Sequence, residues 1–267
     1  MRLSRQHHSI GNQTMVPQIC IPMIDVHAHI LPGIDDGARD LEEALEMARL
    51  AVADGIRVMV ATPHLFKHKS VDLAAINEKR VILDHLDIFR ERLAAEGIAL
   101  EILPGCDVPL SVEALSLLAE DRVLTINDGK RYLLLELPHF SLPPSLEEIC
   151  FSLQSRGITP IITHPERHPI IQERPDRLER LIDLGCLIQL TADSLTGGFG
   201  RQVVRISRQM VKKGYIHLLA SDAHNTQGRP PILSKAVKEL TRLVGSEQAR
   251  AMVTRIPEKI IKREPIL

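Results

Sequence analysis

The chain has 267 residues, 44% of them hydrophobic and 25% charged, with 33 basic side chains against 34 acidic ones and a net charge of -1. This is a globular composition with no charge excess toward nucleic acid or a membrane surface and no apolar run of membrane-spanning length. Aromatics at 3% without Trp leave little for base stacking, and Cys20, Cys106, Cys150 and Cys186 form no Cys-x-x-Cys pair, so neither a thiolate zinc site nor a disulfide framework is indicated.

Residues 1–22 are polar at the start and lack a hydrophobic signal core. They are expected to form a disordered extension before one domain over 23–267, in a reducing cytoplasm. An apolar run from Ile19 to Val26 reads as a buried strand and ends in His27, Ala28 and His29. Asp40 opens an amphipathic helix with Glu43 as its capping-box partner; Leu41, Ala44, Leu45, Ala48 and Val52 mark its apolar face, and Gly55 ends it. That face could serve an oligomer as well as a core. A strand over 56–61 closes in Thr62-Pro63-His64, and a long helix follows over about 71–95. A third strand, 98–103, leads to Pro104-Gly105-Cys106-Asp107, and 111–120 reads as a helix.

A short strand, 132–135, ends in Glu136. Ser145 with Glu148 caps a helix that Gly157 closes, and 158–163 is a strand ending in His164-Pro165-Glu166-Arg167. A helix over 176–184 and a strand over 187–190 come next. Gly197, Gly198 and Gly200 make a turn before a helix to Lys213. The last strand, 216–220, ends in Ser221-Asp222-Ala223-His224, before helices near 232–244 and 247–255.

About seven apolar strands therefore alternate with helices, as parallel βα units do. Six of the seven end in a metal-binding residue type: His27 and His29, His64, Asp107, Glu136, His164, and Asp222 with His224. The sixth strand offers only Gln189, Thr191 and Asp193. An open sheet would spread these ends along an edge; a barrel gathers them at one mouth, so the pattern favours an α/β barrel. Mixed imidazoles and carboxylates suit Mn²⁺, Fe²⁺ or Zn²⁺ better than all-oxygen cations, and so many donors suit two or three ions. Such ions activate water and clamp the oxygens of a displacement, most often on phosphate esters.

Arg167 and Arg229, in loops at the same mouth, match phosphate as bidentate donors. Each residue alone has a bland reading as a loop cap, an ion-pair partner or a solvated side chain; their recurrence at strand ends sets them apart. His68, His85, His168 and His217 lack that placement and read as surface or supporting residues, and His139 stays open. Cys150 and Arg156 have the Cys-x5-Arg spacing of thiol phosphatases, but the intervening residues contain no glycine and lie in a predicted helix, so Cys150 reads as core.

Met-Ile-Asp-Val-His-Ala-His-Ile-Leu-Pro-Gly-Ile-Asp-Asp-Gly from Met23, with Ala-Thr-Pro-His, Ile-Thr-His-Pro-Glu-Arg and Ala-Ser-Asp-Ala-His-Asn-Thr-Gln-Gly-Arg, resembles the PHP superfamily. More closely, it resembles the superfamily's bacterial protein-tyrosine phosphatases of the CpsB/YwqE type. The resemblance implies a distorted (β/α)7 TIM-like barrel and a manganese-type centre of up to three ions, with Co²⁺ and Mg²⁺ as further options. It implies hydrolysis of phosphotyrosine on the tail of a bacterial tyrosine autokinase that controls capsule or exopolysaccharide export. By motif, His27, His29, Asp36, His64, Glu136, His164, Asp222 and His224 match ligand positions, and Arg167 and Arg229 match phosphate-binding ones. Asp107 stands where the family has Glu, one methylene longer, which puts its reach to a metal in question. Two alternatives remain: a phosphatase of a small ester such as histidinol phosphate or a nucleotide, and a non-catalytic metal-bearing domain that binds a partner.

Overall fold

The computed structural model describes residues 22–66 and 76–266. The residues before Pro22, the first turn of the helix expected from Val71, and His68 lie outside the described residues. Among the described residues there are eight parallel strands: β1 (Met23–Ala28), β2 (Ile56–Ala61), β3 (Glu101–Pro104), β4 (Asp107–Pro109), β5 (Tyr132–Glu136), β6 (Thr159–Thr163), β7 (Leu187–Thr191) and β8 (Leu218–Ala220). The helices are α1 (Leu41–Asp54), α2 (Lys79–Ala95), α3 (Val112–Ala119), α4 (Leu146–Ser155), α5 (Pro169–Glu173), α6 (Arg177–Asp183), α7 (Ala192–Thr196), α8 (Gly200–Lys212), α9 (Ser234–Val244), α10 (Ser246–Ala251) and α11 (Arg255–Ile261).

The strands form two sheets, β1-β2-β3 and β4-β5-β6-β7-β8. Two seams join them. At one, His64 bridges Asp107, with Asp107 N–H donating to Pro63 O and Leu65 N–H to Asp107 O, both at 3.1 Å. At the other, Ala28 bridges Ala223, with Asp222 N–H donating to His27 O and His29 N–H to Ala223 O, both at 2.8 Å. β3 and β4 are thus successive pieces of one stave, stepped at Gly105 and Cys106, and seven staves make a distorted α/β barrel.

The period-2 alternation of strands divides the apolar residues into two layers. Ile24, Val26, Val60, Leu103, Leu134, Ile161, Leu187 and Leu218 point inward and fill the barrel over a floor that includes Tyr132 and Ile260. Met59, Ile102, Leu133, Leu135, Ile162, Ile188 and Leu219 point outward into the helix layer. Following the inward parity toward the carboxyl ends replaces Leu134 by Glu136, Leu187 by Gln189 and Ala220 by Asp222. The mouth of the barrel is therefore a polar layer stacked on an apolar one, as barrel sites are.

Several expectations are corrected. β1 runs through His27 and Ala28, so His27 sits within the strand. α2 starts at Lys79, and β3 starts at Glu101 because Ile98 to Leu100 follow the helix as an irregular connection. Asp40 Oδ1 accepts from Glu43 N–H at 2.9 Å, but Glu43 Oε2 turns to Arg39 N–H and Nε, so the capping box is half made. Ser145 has φ -88° and ψ 11° and makes no cap bond, since a cap needs extended backbone. α5, α7 and α11 are too short to show a helical period in sequence. α1 buries Ala44, Leu45, Met47, Ala48 and Ala51 against the barrel, so its apolar face belongs to the core.

The step at Gly105 requires glycine: a Cβ there would stand 2.6 Å from Val60 Cγ1 and 3.0 Å from Thr62 Cγ2. Gly105→Ala is expected to lower stability by about 1–3 kcal/mol through overpacking. A urea titration should show a lower midpoint at unchanged slope; an unchanged midpoint would mean that the stave moves aside freely.

Candidate metal centre and anion site

β1 delivers the first imidazoles. His27 and His29 are fully buried, and their Nε2 atoms face each other at 3.2 Å. His27 Nδ1 donates to Gln189 Oε1 at 2.9 Å, and His29 Nδ1 donates to Asp35 Oδ2 at 2.7 Å. Each partner fixes the proton on Nδ1 and leaves Nε2 aimed inward, the arrangement that orients metal-ligating histidines. Asp35 Oδ2 also accepts from His64 N–H at 2.9 Å, and its Oδ1 accepts from Gly37 N–H. Gly37 packs on β1 so closely that a Cβ would lie 2.0 Å from His29 O.

Around this pair the other strand ends converge. Asp222 Oδ1 is 3.5 Å from the Nε2 of both His27 and His29. Asp107 Oδ2 is 3.6 Å from His27 Nε2 and 3.4 Å from His64 Nδ1. Glu136 approaches His64 Nδ1 at 3.7 Å through Oε2 and His164 Nε2 at 3.8 Å through Oε1. Asp36 Oδ1 lies 3.4 Å from the Nε2 of His64 and of His224. Three overlapping sets have donor atoms mutually close enough for a cation: His29, Asp36, His64 and His224; His27, His29 and Asp107; and His64, Asp107 and Glu136. His164 and Asp222 border the same space.

The electrostatics mark the centre as built for positive charge. Asp107 is fully buried and neither carboxylate oxygen has a hydrogen-bond partner. Burial, then the nearby Glu136 charge, pushes its pKa well above the ordinary value. Burial holds His27 down at about 3 against the pull of Asp222, and burial with the His29 charge holds His64 down at about 3. Burial would also lower His29, but Asp35 and Asp222 override it and raise it to about 10. Burial opposes ionisation of Asp222, yet Arg167 and His27 hold its pKa well below the usual range. His164 and Asp222 both adopt left-handed backbone, φ 36° and 53°, a strain of about 1–3 kcal/mol each that turns their side chains into the mouth.

Arg167 and Arg229 overhang this ring. Their Nη2 atoms donate to Asp222 Oδ2 at 2.7 and 2.5 Å. Phe199 lies beneath both guanidiniums, with its ring centroid 4.8 Å from Arg167 Cζ and 5.9 Å from Arg229 Cζ. Such faces hold cations by quadrupole attraction. A cavity of about 150 Å³ opens here, lined by His64, Glu136, His139, His164, Arg167 and Arg229 among others.

All nine proposed ligand positions and both arginines are thus brought together, and Asp107 reaches the centre despite its shorter side chain. Gln189 proves to be the partner of His27, so the sixth strand contributes as well. Phe199 and the buried Glu166 escaped sequence reading. Glu166 Oε1 accepts from Thr191 N–H and Ser194 Oγ and ties the Arg167 turn to α7. Its sequence signal is only proximity to the His-Pro-Glu-Arg run, and Phe199 is signalled by its glycine neighbours. His168 is buried and donates to Pro138 O, while His139 lines the cavity. Cys150 is buried in α4 beside Cys186, its thiol pushed up in pKa by that contact and by burial, which leaves it core rather than nucleophile.

An α/β barrel with imidazoles and carboxylates ringed at the carboxyl ends of its strands is an architecture suited to metal-assisted hydrolysis. The chain belongs to the CpsB/CapC family of capsular polysaccharide synthesis, whose model matches residues 23–262. It is 38% identical over 244 residues to the tyrosine-protein phosphatase YwqE of Bacillus subtilis, covering 91% of this chain and 93% of that one. It is 30% identical to the tyrosine-protein phosphatase CpsB of Streptococcus pneumoniae, covering 90% and 98%. A crystal structure from work on YwqE and CpsB, there described as metal-dependent tyrosine phosphatases, superposes with a TM-score of 0.86 at 37% identity and covers 92% and 96%. A phosphotriesterase homology protein of Escherichia coli shares the fold, with a TM-score of 0.58 at 12% identity over 90% and 98%.

The unpartnered Asp107 carboxylate has a direct thermodynamic consequence. A carboxyl whose pKa is raised on folding destabilises the folded chain as the pH climbs from about 4 through that raised value. At pH 7 the metal-free Asp107→Asn protein should therefore melt above the metal-free parent by about 2–6 °C. The gap should close near pH 4, where Asp107 is protonated. Calorimetry at both pH values reads this directly; a variant that melts no higher at pH 7 would mean that the charge is already compensated.

Proposed function

We propose that this protein is a metal-dependent phosphomonoesterase that hydrolyses phosphotyrosine in proteins. The observation that carries the reading is the buried, unpartnered Asp107 carboxylate facing His27 and His64, with two arginines across the same mouth. The names and coverage of the YwqE and CpsB relatives support it.

The residues that would hold cations are His27, His29, Asp36, His64, Asp107, Glu136, His164, Asp222 and His224. Two or three ions fit the overlapping sets, and Mn²⁺ fits the mixed nitrogen and oxygen donors, as Fe²⁺ or Zn²⁺ would. When bound, the ions supply Lewis-acid charge stabilisation and activate water for attack on phosphorus. The protein supplies the rest. Gln189 and Asp35 hold the histidines in one tautomer. Arg167 and Arg229 each keep donors beyond the one given to Asp222, and these grip two phosphoryl oxygens and stabilise the charge that grows on them. The Asp222 carboxylate keeps both guanidiniums over the ring until substrate enters. A tyrosyl leaving group, with a pKa of about 10, departs without a strong general acid. The substrate in the cell is the phosphorylated tail of a bacterial tyrosine kinase in the capsule or exopolysaccharide system, met in the cytoplasm by the 23–267 domain.

Purified protein with Mn²⁺ is expected to release phosphate from a phosphotyrosine peptide, and EDTA to abolish the release, with recovery on returning Mn²⁺. Faster turnover of histidinol phosphate or a nucleotide would move the reading to a small-molecule phosphatase. Activity that survives EDTA but is lost in Cys150→Ser would sink the metal mechanism. Arg167→Ala and Arg229→Ala should each lower kcat/KM by about 10²–10³-fold at unchanged metal content. Lysine at either position should recover only part of it, because an ammonium lacks the planar fork.

A further inference from the structure

Behind Phe199 the surface changes character. α7, α8 and α9 pack against one another, and both long helices carry basic stripes at helical spacing. On α8 the stripe is Arg201, Arg205, Arg208 and Lys212, all exposed, with no carboxylate in the helix. On α9 it is Lys235, Lys238 and Arg242, against the one acid Glu239. Glu239 bonds Arg208 and Arg242, which leaves Lys235 and Lys238 without a carboxylate partner among the described residues. A groove between these helices is walled by Arg208, Lys235, Lys238, Arg242 and the one acid Glu239, and lined by Leu195, Thr196 and Val204.

Folding does not favour this arrangement. Like charges stacked three and four residues apart on a helix repel, and two such stripes beside one groove repel again. The chain as a whole is nearly neutral at -1, so the concentration is local. An anionic occupant offsets the repulsion. The shape indicates which one. A groove recessed between helices takes an extended peptide, whereas a bilayer surface would meet only its rim.

The groove is also tied to the anion site. Thr196, which lines it, is three residues from Phe199, at most about 11 Å of chain, and the Phe199 ring stands 4.8 Å from Arg167 Cζ. About five residues of extended substrate would span that gap.

We propose that the α7–α8–α9 groove docks an acidic segment flanking the phosphotyrosine of the protein substrate. The proposal rests on the phosphotyrosine reading and adds a sequence preference to it. It separates residues that read the peptide, Lys235 and Lys238, from those that hold the phosphoryl group.

The test uses the metal-loaded full chain and three substrates: a phosphotyrosine peptide flanked by four Glu, its counterpart flanked by four Lys, and p-nitrophenyl phosphate. The parent should prefer the Glu-flanked peptide by ~10-fold in kcat/KM at low salt, and the preference should shrink at about 0.5 M salt, where the Debye length falls to a few ångströms. The double variant Lys235→Glu/Lys238→Glu should lose the preference while its rate on p-nitrophenyl phosphate stays within about twofold. Fluorescence anisotropy with the unphosphorylated Glu-flanked peptide reads the groove without catalysis. Binding that the double variant weakens by ~10-fold supports the groove even if no phosphotyrosine ester is hydrolysed, in which case the phosphatase reading fails alone. Equal peptide preference in parent and double variant overturns the proposal. So does binding to phosphatidylglycerol vesicles that the double variant loses while neither protein discriminates the peptides, which would assign the face to an anionic surface.

Discussion

A single buried carboxylate sets the terms for the mouth of this barrel. Asp107 has no exposed surface and no hydrogen-bond partner for either oxygen, yet it stands within 3.6 Å of two imidazole nitrogens. A charge so placed is costly unless a cation shares the space. Its neighbours crowd the same space: Asp222 and Glu136 border the centre, and the inward nitrogens of His27 and His29 face one another. Burial shifts Asp107 toward its neutral form, while Asp35 and Asp222 shift His29 toward its charged one. Divalent cations would relieve all of it at once, which is how folding and metal affinity become one equilibrium.

The same residues close the fold. Neither seam of the barrel is a full ladder. One is held by the backbone of Asp107 with Pro63 and Leu65, on either side of His64, the other by that of His27, His29, Asp222 and Ala223. Ligand side chains and closing hydrogen bonds therefore come from the same short segments. Substitutions that move the backbone there will disturb shape and donor geometry together, whereas the apolar layer beneath, from Val26 to Leu218, is insulated from both.

Charge is graded outward from this centre. Carboxylates and imidazoles occupy the floor of the mouth, the arginine pair with Phe199 forms its rim, and the basic stripes of α8 and α9 lie beyond. The grading suits a doubly charged phosphoryl group drawn inward from a larger anionic chain. Asp222 links the first two zones, since one oxygen faces the histidines and the other holds both guanidiniums.

Strand ends, the barrel and the ligand types were legible in the chain itself, because buried parallel strands write themselves as apolar runs and each run stops at a polar residue. His27, His64, Glu136, His164 and Asp222 were found that way, and the recurrence of the pattern mattered more than any one motif. Which atom of Asp35 or Gln189 faces which ring across the barrel was not legible in the chain itself. The stave broken at Gly105, the half-made cap at Asp40 and the short helices α5, α7 and α11 left too little periodicity to read. Sequence also could not tell whether Asp107, one methylene short, would reach the centre. The seam pins the Asp107 backbone to Pro63 and Leu65 and sets its carboxylate within 3.6 Å of His27 and His64. Phe199 beneath two arginines, and two basic stripes beside one groove, belong to the same kind: they are juxtapositions of distant segments, which local spacing does not encode and packing alone creates.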